Sequence, residues 1–236
     1  MCITNIQEIN MANYENGLDT KEKILHAAKV LFYEKGYEAT TFKEISRLAK
    51  VNQGLIVYHY KTKAWLANVV FREFIKASME SVEEYFQGAD TLTQYFIGDY
   101  LYFRLLYENK PFREFMDTCC DSGLIKKEDA IQDDVYLKYY WELMDQITED
   151  TGPDEIMMEG LMTVFDGLKD KYTCYICRNY HRFSMREAAE TYIFIYCRLF
   201  GISEKKYGEK MMEAQLLANQ VEIEFHNFDY ALRKRK

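Results

Sequence analysis

The chain has 236 residues, 48% hydrophobic and 16% aromatic, with two prolines, eleven glycines and a net charge of −8. That composition excludes a disordered chain and suits one or two domains around a substantial core. There is no apolar run of about 18 residues to span a bilayer and no basic-then-apolar signal at the N-terminus, so a cytoplasmic compartment and six reduced cysteines are expected.

Residues 1–19 show no sustained period and carry Glu8, Glu15 and Asp19 without a basic residue, which predicts a flexible tail. Thr20 is placed to cap a helix whose stripe is Ile24, Ala27, Ala28, Leu31 and Phe32, closed by Gly36. Thr41 and Glu44 have capping-box spacing, and Phe42, Ile45 and Ala49 then share one helical face. Lys50-Val51-Asn52 breaks that period, and Asn52 is a good cap for a second short helix from Gln53. In it Ile56 and Tyr60 share an inward face, whereas Gly54, Leu55, Val57 and Tyr58 point elsewhere. A short helix has no reason to show Leu, Val and Tyr to water unless that face meets something.

Thr62 caps a long fourth helix, to about residue 87, with Leu66, Val69, Val70 and Phe74 inward. Further helices are predicted at 92–109 behind Thr91, at 111–121 opened by Pro111, at about 128–149, and from Pro153 to about 180. Ser184 and Glu187 form a second capping box for 185–200, and Ser203 caps a last helix to about 227. No strand alternation is convincing, so the fold class read from the sequence is all-α.

Charge is unevenly placed. Residues 20–70 hold nine Lys/Arg against four Asp/Glu, a balance of +5, while residues 71–236 hold 21 against 31, a balance of −10. A basic module on an acidic body is the footprint of one-sided contact with nucleic acid.

The stretch KILHAAKVLFYEKGYEATTFKEISRLAKVNQGLIVYHYKTKAWL resembles the DNA-binding domain of the tetracycline-repressor (TetR) family. Three features carry the resemblance in order: AAKVLFYEKGYEATT, EISRLAKV and GLIVYHYKTK. It covers about residues 20–66, and it implies a three-helix helix-turn-helix domain there. A long helix would join this to a helical effector-binding and dimerisation domain over residues 67–236. The implied partners are a double-stranded DNA operator, a small apolar or aromatic effector and a second copy of the chain, with no membrane and no cofactor.

For the DNA contacts, Gln53 suits a base edge, most naturally adenine, Gly54 permits close approach, and Leu55 and Val57 suit a thymine methyl. Tyr58, His59, Lys63, Thr40 and Thr41 are placed for phosphates. Val57 stands where the family usually has Tyr, and Ala64-Trp65 replaces the usual acidic pair. The acidic residues 1–19 offer no basic arm.

The aromatic body suggests an effector cavity, with Tyr95, Tyr102, Phe103, Tyr136 and Tyr140 as candidates. Residues 185–200 are apolar on two faces (Ala188, Tyr192, Ile195 and Leu199; Ile193, Tyr196 and Phe200), which with the final helix suggests a four-helix dimer interface. Cys174, Cys177 and His181 follow i, i+3, i+7, a spacing open to a soft metal, to thiol redox chemistry or to plain core packing. No phosphate loop, G-x-S-x-G elbow or H-E-x-x-H occurs, so no enzyme is expected.

Overall fold

The computed structural model describes residues 3–121 and 155–236. Four helices form the N-terminal part: α1 (Ile3–Lys35), α2 (Phe42–Ala49), α3 (Gln53–Tyr60) and α4 (Lys63–Tyr85). The body follows with α5 (Thr91–Glu108), α6 (Lys110–Asp121), α7 (Glu155–Asn179), a 3-10 turn (Tyr180–Arg182), α8 (Met185–Leu199) and α9 (Glu204–Ala218). The chain ends in a two-stranded antiparallel hairpin, β1 (Val221–His226) and β2 (Asp229–Lys234).

The caps explain most boundaries. Thr41 and Glu44 make both bonds of a capping box, as do Ser184 and Glu187. The side chains of Asn52, Thr62 and Ser203 each accept from a first-turn N–H. Gly36, at φ +83°, lets the chain turn out of α1. The stripe Ile24, Ala27, Ala28, Leu31 and Phe32 is buried with Ile45, Ala49, Ile56 and Tyr60, so α1 supports both short helices. The Tyr60 hydroxyl donates to the Lys21 carbonyl at 3.0 Å, pinning α3 back to α1.

Three expectations are corrected. Thr20 does not cap α1, whose helical backbone begins at Ile3 and takes in most of the expected tail. No proline precedes Thr20, and adding residues to an existing helix needs no new nucleus. Asp90, not Thr91, caps α5, accepting from the Thr93 N–H at 3.2 Å; its carboxylate also pairs with Lys210 of α9.

The third correction is the C-terminus, where the expected helix to about 227 stops at Ala218. After it, Val221, Ile223 and Phe225 alternate with Glu222, Glu224 and His226, which is a strand period. Phe225 faces Tyr230, and Arg233 pairs across the ladder with Glu222 and Glu224 at 3.0 and 2.8 Å.

The helix expected at 128–149, the break at Thr151-Gly152-Pro153 and candidates Tyr136 and Tyr140 lie outside the described residues. Among the described residues, no helix is long and apolar enough to cross a membrane.

Candidate nucleic-acid interface

Helix α2 and helix α3 meet through a turn held at both ends. Lys50 takes a left-handed conformation, φ 56°, and its N–H returns to the Ser46 carbonyl to close α2. Asn52 then opens α3, its Oδ1 accepting from the Gly54 N–H at 2.8 Å. With Ile56 and Tyr60 buried, the other side of α3 is fixed outward.

That side carries Gln53, Gly54, Leu55, Val57 and Tyr58, all exposed. Leu55, Val57 and Tyr58 are 39%, 48% and 78% exposed, so the face shows water large apolar surface that the fold does not use. The Tyr58 ring meets His59 edge-on at 4.9 Å. Partial burial, and after it the charge of Lys21, hold the His59 imidazole below its ordinary pKa, so it is neutral at pH 7.

The phosphate candidates divide. Thr41 is exposed, but its hydroxyl donates to Glu44 Oε2 at 2.9 Å within the cap. The Lys35 partner and the Thr41 bonds lower the Glu44 carboxyl to about 2. Thr40 is buried, and its hydroxyl lies 2.8 Å from the Gly36 carbonyl and 3.2 Å from that of Leu31. Its N–H is bonded to the Tyr37 carbonyl, so Thr40 closes the end of α1 and has no donor left for a phosphate.

Lys63 is also turned inward. Its ammonium donates to the carbonyls of Tyr37, Glu38 and Thr40 at 2.9, 3.3 and 3.1 Å and lies 4.2 Å from the Tyr37 ring centre. All three N–H donors are thereby satisfied, and Lys63 clamps the α1–α2 turn.

The motif reading passed over four cations on α2 and at the turns before and after α3. Lys43, Arg47, Lys50 and Lys61 are exposed and carry no ion pair among the described residues. The regional charge count was the signal for them. Lys43 and Arg47 on α2, with Lys50 before α3 and Lys61 after it, add positive charge to this module, which suits a phosphate backbone.

The other candidates are placed differently. Tyr102 and Phe103 are buried in the body, Tyr102 bonded to the Thr173 hydroxyl at 3.2 Å and Phe103 packed on Tyr172 and Tyr192. Tyr95 is half-buried beside Phe165 and Tyr196. Asp99, unremarked in the sequence, lies deep between them, 2% exposed and 3.7 Å from Lys169 of α7. Burial pushes its carboxyl up to about 6 against the pull of Lys169.

Cys174 and Cys177 are buried, and burial raises the Cys177 thiol to about 12. His181 is exposed in the 3-10 turn after α7 ends, so the expected single helical face does not extend to it. Among the described residues, no group of His, Cys, Asp and Glu is placed to hold a metal.

Comparison with known proteins gives this geometry a class. Residues 24–70 match the family of bacterial regulatory proteins described as tetR. Over 46 residues the chain is 48% identical to the HTH-type transcriptional regulator QacR of Staphylococcus aureus, covering 20% of this chain and 24% of that one. Over 59 residues it is 36% identical to the transposon Tn10 TetC protein of Escherichia coli, covering 25% and 30%. The matches thus span about a quarter to a third of these curated relatives' length.

The fold as a whole is similar to that of Thermus thermophilus FadR, a TetR-family transcriptional repressor solved in complex with lauroyl-CoA. The TM-score is 0.57 at 16% identity, over 74% of this chain and 92% of that one. Residues 24–70 thus match the tetR-family DNA-binding domain, and the chain has the fold of solved TetR-family regulators.

Proposed function

We propose that the protein is a homodimeric, sequence-specific DNA-binding repressor of transcription, acting in the cytoplasm and released from its operator by a small apolar or aromatic molecule. The observation that carries this reading is the outward face of α3: Gln53, Gly54, Leu55, Val57 and Tyr58 exposed, with cations on α2 and at the turns before and after α3. Residues 20–66 are the DNA-reading unit, and residues 67–236 hold the effector and the second subunit.

Gln53 reads a base edge, Leu55 and Val57 meet thymine methyls, and Tyr58 and His59 contact the backbone. Lys43, Arg47, Lys50 and Lys61 take the phosphate role first given to Lys63 and Thr40. The dimer surface includes Phe194 and Leu199 of α8, 43% and 48% exposed, with Met212 and Leu216 of α9 beside the same end of the chain. An apolar effector is supported by the aromatic body and by the acyl-CoA held in FadR, a protein of the same fold. Among the described candidates Tyr95 keeps surface to meet a ligand, whereas Tyr102 and Phe103 are buried. Release follows if the effector binds more tightly to the arrangement that does not fit DNA.

Selection from a random duplex pool tests the reading. The expected product is a motif with two-fold symmetry whose binding weakens steeply with salt. No enrichment over the starting pool would overturn it.

A further inference from the structure

The two-stranded hairpin touches both functional halves of the chain. Its root is fixed to α5 by Arg104, buried in mid-helix. Nη1 of Arg104 donates to the carbonyls of Ala218 and Val221 at 2.9 and 3.0 Å, and Nη2 donates to Asn219 Oδ1 at 3.1 Å. Its flank lies on α4 and α6, with the Phe225 ring 5.7 Å from Phe74 and 5.3 Å from Phe112. Its tip reaches α1, the support helix of the DNA-reading unit. There Tyr33 meets the rings of His226, Phe225 and Phe228 at 5.1, 5.9 and 6.2 Å, and Lys29 pairs with Asp229 at 3.1 Å. Asn109, between α5 and α6, donates to the same Tyr33 hydroxyl at 2.9 Å.

The turn itself shows that the tip contact shapes the local backbone. Asn227 and Phe228 have φ of +51° and +63°, the primed geometry of a two-residue hairpin loop. Glycine is the residue such a turn favours at its second position, and a bulky side chain there is uncommon and strained. Phe228 accepts that conformation with its ring 1% exposed, 4.6 Å from Phe115 and against Phe112. A residue that suits the turn poorly and the α1–α6 junction well indicates that the junction decides the choice.

We infer that the hairpin is a coupling strut: it ties the orientation of α1, and with it α2 and α3, to the state of α5 and α6. It gives the body a route to the DNA-reading helices that runs beside α4. A shift of α5 moves Arg104 and the hairpin root, a shift of α6 moves Phe112 and Phe115, and both displace the seat of Tyr33. Phe228 and Tyr33 are positioning residues in this device. Its regulatory meaning rests on the DNA-binding reading above, whereas the mechanical tie does not.

Amide hydrogen exchange on full-length Phe228→Gly tests both parts. Glycine keeps the turn and removes only the ring. In DNA-free protein, exchange in residues 24–35 should accelerate several-fold, up to about tenfold, the scale of one or two lost aromatic contacts, while α5 is unchanged. Tyr33→Leu removes the tie from the α1 side and should do the same, which decides the matter if Phe228→Gly fails to fold. Unchanged exchange in 24–35, or equal acceleration in α1 and α5, overturns the strut. With a pool-selected duplex bound, the wild type should change exchange in 110–121 and 221–234, and either variant should lose the change in 110–121. A duplex that binds without altering the wild-type body overturns the coupling. Failure to select any duplex overturns the DNA reading and leaves the tie to be judged by the DNA-free experiment.

Discussion

Of the eight residues of α3, only Ile56 and Tyr60 are buried; of the eighteen of α5, thirteen are. Helix α3 turns Leu55, Val57 and Tyr58 to water, whereas α5 hides Gln94, Asp99 and Arg104 inside the body. Each is at odds with the usual sorting of side chains, in opposite senses. In α3 the misplaced apolar groups leave much of their surface in water, which points to a partner outside the fold. In α5 the misplaced polar groups face partners inside the body, although Asp99 keeps Oδ2 buried without a hydrogen bond among the described residues. Gln94 donates to the Phe86 carbonyl at 2.9 Å, Asp99 faces Lys169, and Arg104 holds the hairpin root. Exposure against type marks a binding face, and burial against type marks a junction.

The largest effect that sharpens this contrast is expected from Arg104→Met. It leaves the Ala218 and Val221 carbonyls buried without their donor and should cost about 3 kcal/mol. In a chain of this size that lowers Tm by roughly 6–12 °C. Denaturant unfolding measures it, and a neutral result would break the claim that buried polar groups of α5 are junctions.

Asp99→Asn comes next. Folding raises this carboxyl to about 6, so between the unfolded pKa of about 4 and that value the native protein keeps a proton the unfolded chain has released. Stability from this group therefore falls as pH rises through that window. The variant should lack the fall and be more stable than the parent above pH 6, by on the order of 2 kcal/mol. Unfolding midpoints at several pH values between 4 and 8 check it, and parallel profiles would contradict it.

Lys63→Met should show the smallest effect, about 1 kcal/mol, from the lost bonds to the Tyr37, Glu38 and Thr40 carbonyls. The salt slope of DNA binding should stay as it is. A slope lower by about one would return Lys63 to the phosphates.

Local chemistry made much of the interface legible in the sequence. The Thr41–Glu44 box, the Asn52 cap and the inward pair Ile56 and Tyr60 are all short-range patterns, and each stands where the spacing put it. What spacing could not show is where a long or small polar side chain finds its partner across the fold. Lys63 reaches back 23 to 26 residues to its carbonyls, and the Thr40 hydroxyl folds onto the end of α1. The hairpin was visible in principle, since Ile223 and Phe225 alternate with glutamates. Its turn lacks the glycine that usually announces one, and the apolar stripe of α9 leads smoothly into it. Asp99 gave no signal, because a single acid in an aromatic helix reads as surface until packing buries it.

The central claim is that the outward face of α3 reads bases, and Gln53→Ala tests it most directly. Gln53 is exposed, so the variant should fold as the parent does. Selected from the same random duplex pool, it should lose preference at one base position of each half-site, with a cost of about 1–3 kcal/mol there. An unchanged motif bound with unchanged affinity would contradict the account.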